Sequence, residues 1–247
     1  MTLQQREKKV AVVTGGSGGI GSELVRRLAA NGISVVFTYA TAEKEAIDIV
    51  ASIRANGGEA NTIRADISQL DDVAALFRFV QKLYGQLDYL INNAGVIVPS
   101  PIAGVTNELY EKVFDVNVRG ALFILQEATP LLRNGGRIIN ISSTMVAAPI
   151  AGSALYAASK AALELFSQVL AKELGARDIT VNSLRLGATI PGMFAKAPPE
   201  RQAAFAAASP FNRLGTPQDV ADVVTFLLSE GGRWITGQTI TVDGGAT

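Results

Sequence analysis

Tyr156 and Lys160 stand four residues apart, so a helix through this stretch sets a phenol and an amine on one face, one turn from each other. A free phenol has a pKa of about 10. A neighbouring ammonium favours the phenolate and draws that value toward the working pH, where a proton donor or acceptor is most effective. The pair is a candidate proton-transfer device. Taken alone, it is more simply an exposed Tyr and Lys on an ordinary helix, and the choice rests on the rest of the chain.

Composition narrows the chemistry. The 247 residues include no His and no Cys. The first absence removes the usual general base, the usual zinc ligand and every Ser-His-Asp mechanism. The second removes disulfides, thiolate metal sites and a cysteine nucleophile. Proton chemistry must then use Tyr, Lys, Asp or Glu, and no metal is expected. Lys+Arg and Asp+Glu both number 22, so no basic excess marks a nucleic-acid binder. With 48% hydrophobic and 18% charged residues, the chain can bury a core. Residues 1–9 read as a polar tail without the apolar centre of a signal peptide. No run approaches the roughly 20 apolar residues of a membrane span. The expectation is a cytoplasmic protein with no membrane partner.

Strands and helices alternate along the chain. Short apolar runs at Val10–Val13, Ser34–Tyr39, Ala60–Ala65, Leu87–Ile91, Arg137–Ile141, Thr180–Leu186 and Gln238–Val242 read as strands. Between them, helical spacing covers 20–30, 42–56, 69–84, 110–132, 153–174 and 217–228. This rhythm predicts an α/β fold, a doubly wound parallel β-sheet of Rossmann-like type with helices on both faces. Without an internal repeat or linker, residues 10–247 form one domain, and 188–210 is the most irregular stretch.

In such a sheet, ligands bind beyond the carboxyl ends of the strands. Gly15, Ser17, Gly18, Gly19, Ile20 and Gly21 follow the first strand and open a helix, the context in which a glycine loop cradles a pyrophosphate. The alternative is a plain tight strand-to-helix turn.

Thr14-Gly15-(three residues)-Gly19-Ile20-Gly21 resembles the cofactor motif of the short-chain dehydrogenase/reductase family. Asn92-Asn93-Ala94-Gly95 is similar to its motif after the fourth strand, and Asn117 matches the fourth member of its catalytic tetrad. Ser143, thirteen residues before Tyr156-(three residues)-Lys160, resembles its catalytic pattern, a spacing that selects Ser143 over Ser142. Arg213 to Ala221 and Val242-Asp243-Gly244-Gly245 resemble its C-terminal signatures, so the likeness spans residues 10 to 245. The resemblance implies that Tyr156 exchanges a proton with a substrate oxygen while hydride moves to or from a nicotinamide. Lys160 would hold the nicotinamide ribose, Ser143 would donate to the same oxygen, and Asn117 would hold a water linking Lys160 to solvent. It further implies cofactor contacts from Asn93, Ala94, Gly95, Asp66, Ile67, Gly187 and Thr189. Asp66 reads equally as a cap of the following helix. After the sixth strand the family has Pro-Gly where this chain has Leu186-Gly187, which alters the local shape of the nicotinamide pocket.

An NAD-selective site commonly places a carboxylate after the second strand. Tyr39, Ala40 and Thr41 stand there, with no acid before Glu43, so NADP(H) is favoured over NAD(H), with Thr41 or Lys44 as candidate phosphate contacts. Against this, Gly18 lies where many NADP-preferring relatives carry Arg or Lys. The resemblance makes 188–210 a substrate lid. Val96, Ile97, Met145, Val146, Ile150 and Phe194 are the candidate lining, with Ser143, Met145, Ile150, Tyr156 and Phe194 as substrate contacts. An apolar lining without a cation suits a neutral ketone, aldehyde or secondary alcohol. The alternatives are a 3-oxoacyl-carrier-protein reductase and a non-catalytic NADP(H)-sensing regulator. The family also implies a homotetramer built on the helices near 110–132 and 153–174 and on the C-terminal strand.

Overall fold

Strand β1 (Val10–Val13) is buried at all four positions and β2 (Ser34–Tyr39) at all six. Continuous burial requires cover on both faces of a sheet, which short apolar, β-branched runs satisfy only when helices pack above and below. The computed structural model describes residues 8–247; of the polar tail expected at 1–9, residues 1–7 lie outside the described residues.

The sheet continues through β3 (Ala60–Arg64), β4 (Leu87–Asn92), β5 (Leu132–Ser143), β6 (Thr180–Leu186) and β7 (Thr239–Val242). Its order is β3-β2-β1-β4-β5-β6-β7, with every pair parallel. Side chains alternate across it. Ala11 and Val13 join a core with Leu24 and Leu28 of α1 (Gly19–Ala30), Ile49 and Ile53 of α2 (Glu43–Ala55), and Val220 and Val224 of α8 (Pro217–Leu228). Val10 and Val12 face the other way, against Leu76 of α3 (Leu70–Tyr84), Ile124 of α5 (Ala121–Ala128) and Leu174 of α6 (Ala154–Leu174). The expected doubly wound architecture is therefore present. Among the described residues no helix is long and apolar enough to cross a membrane.

From β1 the chain steps outward to β2 and β3, then returns to place β4 on the other side of β1. That reversal opens a crevice beyond the ends of β1 and β4. The glycine loop and Asn93-Ala94-Gly95 are the two loops that flank it.

Three segments differ from expectation, among them β5, expected at Arg137–Ile141 and running from Leu132 to Ser143. The helix foreseen at 110–132 is α4 (Asn107–Phe114), a π-helical turn at Asp115–Gly120, and α5, which ends at Ala128. Pro130 lies too close to allow continuation, and Leu132 already belongs to β5, paired with Leu87. The stretch 188–210 is not irregular throughout: α7 runs from Pro199 to Ala208. Proline in its first turn is pre-set for helix and needs no N–H partner, and Ala, Gln, Glu and Arg carry it onward.

Candidate active site

The glycine loop is bolted to the loop after β4. Thr14 Oγ1 accepts from the backbone N–H of Asn93 and of Ala94, both at 2.9 Å. Asn93 Nδ2 in turn donates to the carbonyls of Thr14 (2.9 Å) and Gly15 (3.2 Å). The Asn93 amide thus serves as a brace for the loop. On the other side, the Gly15 and Gly16 N–H groups reach Thr38 Oγ1 and the Thr38 carbonyl. Gly15 holds a φ of +65°, and a Cβ on Gly21 would stand 2.2 Å from the Gly15 carbonyl oxygen. Gly18, by contrast, has open space around it and starts α1 without a side-chain cap. Ile20 packs its side chain on the core beneath. A tight loop that ends in uncapped helix amides fits a pyrophosphate. Gly21→Ala should accordingly cost about 1–3 kcal/mol of stability through overpacking, whereas Gly18→Ala should stay within about 0.5 kcal/mol. Paired thermal melts check this; equal melting temperatures would refute the close approach at Gly21.

Beyond the end of β2, Ala40 and Thr41 are exposed, and the Tyr39 hydroxyl donates to Glu43 Oε1 at 3.2 Å. Lys44 is engaged with Asp48 at 3.1 Å. Asp66 does not cap α3. Its Oδ1 accepts from the Ser68 N–H and hydroxyl, while Asp72 reaches back to the Asp66 N–H. Ile67 is buried in the α3–α5 core, so only its main chain remains at the strand end.

The proton-transfer candidates converge where β5 ends against α6. Ser143 closes β5, beside Leu186 in register, and its Oγ accepts from the Met145 N–H at 3.2 Å. Ser142 points to the opposite face, donating to Glu164 Oε1 at 2.6 Å, and Arg185 grips the same carboxylate with two bonds. Alternation along the strand thus separates the two serines. Tyr156 and Lys160 are not an exposed pair: they are 8% and 2% exposed. Lys160 Nζ lies 5.8 Å from the centre of the Tyr156 ring and donates to the Ile141 carbonyl at 2.8 Å.

The charge relation between them differs from the expectation. Burial pushes the Tyr156 phenol above its ordinary value, and a hydrogen bond with Ser143 pulls it back in part. The Lys160 amine, hydrogen-bonded to the strand, is itself brought down to about 8 by burial.

Asn117 sits in the π-helical turn, fully buried. Its amide donates to the Val96 carbonyl (2.8 Å) and to Ser159 Oγ (3.0 Å), and its Oδ1 accepts from the Val96 N–H (2.8 Å). The side chain is therefore a clip between α6 and the loop after β4, and a water would have to be held by its main chain. A Cβ on Gly95 would meet Lys160 Nζ at 3.1 Å and Asn117 Oδ1 at 3.3 Å, so Gly95 lets these groups close up.

A cavity of about 270 Å³ is lined by Met145, Ile150, Gly187 and, from α7, Ala204, Phe205 and Ala208; Thr144, which follows Ser143, borders it, whereas Ser143 and Tyr156 do not. Phe194 is not on this wall; it packs on Phe205, ring centres 4.9 Å apart. Val96, Ile97 and Val146 do not line it either. Phe205 lies outside the expected lining because that expectation treats 188–210 as irregular, although Pro199 followed by Glu, Gln and Ala is a helix signal. Two charged residues also reach the cavity, contrary to the purely apolar expectation, and both are committed. Arg213 is bidentate to Asp219, and Asp243 holds the Gly245 and Thr247 N–H groups. Thr189 Oγ1 donates to the Gly187 carbonyl (3.0 Å), and Gly187 admits no side chain because Asp243 Cβ would lie 2.7 Å away. The segment Pro191-Gly192 abuts Gly19, so the lid base and the glycine loop close one crevice.

A family model described as enoyl-(acyl carrier protein) reductase matches residues 15–247. An uncharacterized oxidoreductase of Methylorubrum extorquens is 42% identical over 246 residues, 98% of this chain and 99% of its own. Tetrahydroxynaphthalene reductase of Pyricularia oryzae is 35% identical over 254 residues, 97% of this chain and 90% of its own. The crystal structure of a blue fluorescent protein from a metagenomic library, in complex with NADPH, superposes with a TM-score of 0.93 at 39% identity, covering 99% of this chain and all of the other.

Proposed function

The chain belongs to the short-chain dehydrogenase/reductase family, and from that premise we propose that it is an NADP(H)-dependent ketoreductase for neutral, apolar ketones or the corresponding alcohols. The observation that carries this reading is the buried Tyr156–Lys160 pair on α6, with Tyr156 hydrogen-bonded to Ser143 at the end of β5, whose next residues Thr144 and Met145 line a largely apolar cavity. When bound, the nicotinamide supplies or takes the hydride.

The chain's own residues do the rest. The glycine loop and the α1 amides hold the pyrophosphate. Lys160, buried under the Tyr156 ring, holds the ribose. Ser143 donates a hydrogen bond to the carbonyl oxygen, where negative charge builds in the transition state. Tyr156 passes its proton to that oxygen and recovers it in the reverse direction. Asn117 and Gly95 keep Lys160 in place. Met145, Ile150 and Phe205 exclude water from the reacting carbon.

NADPH consumption against simple aryl and cyclic ketones tests the reading; no turnover with any of them, alongside intact NADPH binding, would overturn it. A second reading, 3-oxoacyl-carrier-protein reductase, draws on the description of the matching family model, which names a carrier-protein substrate. Weighing against it, Arg213 beside the cavity is already neutralised by Asp219. Faster turnover of an acetoacetyl thioester than of aryl ketones would favour it.

We also propose a homotetramer. Leu122 of α5 and Leu165 and Val169 of α6 are 42%, 60% and 55% exposed, an apolar surface suited to a second copy. Sedimentation as a monomer would refute this assembly.

A further inference from the structure

NADP(H) differs from NAD(H) by one phosphate on the adenosine ribose, so a protein that prefers it needs a cation at the end of β2. The loop itself carries no cation; Lys44, in the first turn of α2, projects into solvent in an exposed pair with Asp48, 3.1 Å away on the same helix. The neighbouring strand carries one. Arg64 is the last residue of β3 and lies opposite Tyr39, the last residue of β2, in the parallel ladder. Opposed residues of such a pair project from the same face. Arg64 therefore shares the face of Tyr39, on the α1–α2 side where the glycine loop begins. Its Nε reaches the Ala40 carbonyl at 3.4 Å, which draws the guanidinium across the loop Ala40-Thr41. The side chain is exposed and makes no ion pair among the described residues. The Tyr39 phenol registers the same cation. Burial, then Glu43, push that phenol up, and Arg64 pulls it down.

We propose that Arg64 is the residue that reads the 2′-phosphate of NADP(H), reaching across from β3 to the loop after β2. A guanidinium suits this task, since its planar fork can give two hydrogen bonds to one phosphate. The Ala40 carbonyl accepts from Arg64 Nε, and the adjacent, exposed Thr41 carries a hydroxyl that could donate to the same phosphate. Glu43, the first acid after β2, accepts from the Tyr39 hydroxyl. The inference rests on the NADP(H) reading above, and its test separates the two.

Equilibrium binding of NADPH and NADH, followed by the fluorescence of each, is measured for the parent, Arg64→Gln, Arg64→Lys and Lys44→Gln. Hydrogen bonds to charged groups contribute about 1.5–3 kcal/mol, and a partly screened site keeps the lower end, so Arg64→Gln should weaken NADPH by about tenfold or more. Affinity for NADH should stay within about twofold, which also reports an intact fold. Arg64→Lys should recover part of the loss, and Lys44→Gln should change neither nucleotide. Added salt should weaken NADPH in the parent more than in Arg64→Gln. Equal loss of NADPH and NADH in Arg64→Gln, no loss of NADPH, or transfer of the effect to Lys44→Gln would each overturn the assignment to Arg64. A parent that binds NADH as tightly as NADPH would instead remove the cofactor reading, and the assignment with it.

Discussion

Tyr156→Phe is expected to fold as the parent does, to bind NADPH with similar affinity, and to lose about 10²–10⁴-fold in kcat. The phenol's hydrogen bonding is to Ser143, which keeps its bond from the Met145 N–H when the phenol is gone. The ring stays in a site that is only 8% open, so packing is preserved. What is lost is the proton donor. The raised phenol pKa also sets the sign of the pH dependence. Ketone reduction uses the protonated phenol, so its rate should hold through neutral pH and fall only on the alkaline side. Alcohol oxidation uses the phenolate, so it should rise over that same range. Rate profiles in both directions check this; a variant that keeps near-parent kcat would take Tyr156 out of the mechanism.

Lys160→Met should do two opposite things, ending most turnover while making the protein more stable. A lysine whose pKa falls from 10.5 to about 8 through burial destabilises the native state by about 3 kcal/mol at neutral pH. Its hydrogen bond to the Ile141 carbonyl offsets about 1 kcal/mol of that. Methionine has a similar shape without the charge, so a gain of about 2 kcal/mol is expected at pH 7. The gain must shrink with rising pH. The native protein releases the Lys160 proton near pH 8 while the unfolded chain keeps it to about 10.5. Between those values the unfolded state binds more protons, so parent stability climbs and the variant's does not. Urea titrations at pH 7 and 9.5, without added cofactor, measure both ends. A variant less stable than the parent at pH 7 would show that the amine contributes more to the fold than its burial costs. Such stability given up at a reacting group is the usual trade at functional sites.

Much of this was legible before any coordinates. Residues Val10–Val13, Ser34–Tyr39, Thr180–Leu186 and Pro217–Leu228 were bounded as strands and helix where the structure has them. The glycine loop after β1 and the Ser143–Tyr156–Lys160 spacing pointed to one crevice; the structure sets the glycine loop at its flank and buries Tyr156 and Lys160 on α6 against the end of β5. Where reading failed, a local signal was misjudged. Pro130 stops α5 early and Pro199 starts α7, so the wall of the cavity is Phe205 and not Phe194.

Other features carried no local signal at all. Asn117 spends its amide on Val96, twenty-one residues away, and on Ser159, forty-two away. Arg64 faces Tyr39 only because β3 pairs with β2 in one register. The Lys160 amine titrates low because strand, loop and helix together strip its water, an effect summed over the whole surroundings. Periodicity and motif spacing are properties of neighbours along the chain, so the sequence alone determined the elements, their order and which groups could do chemistry. Desolvation, cross-strand register and the walls of a cavity are set by residues distant in the chain and near in space, and only the folded structure could decide them.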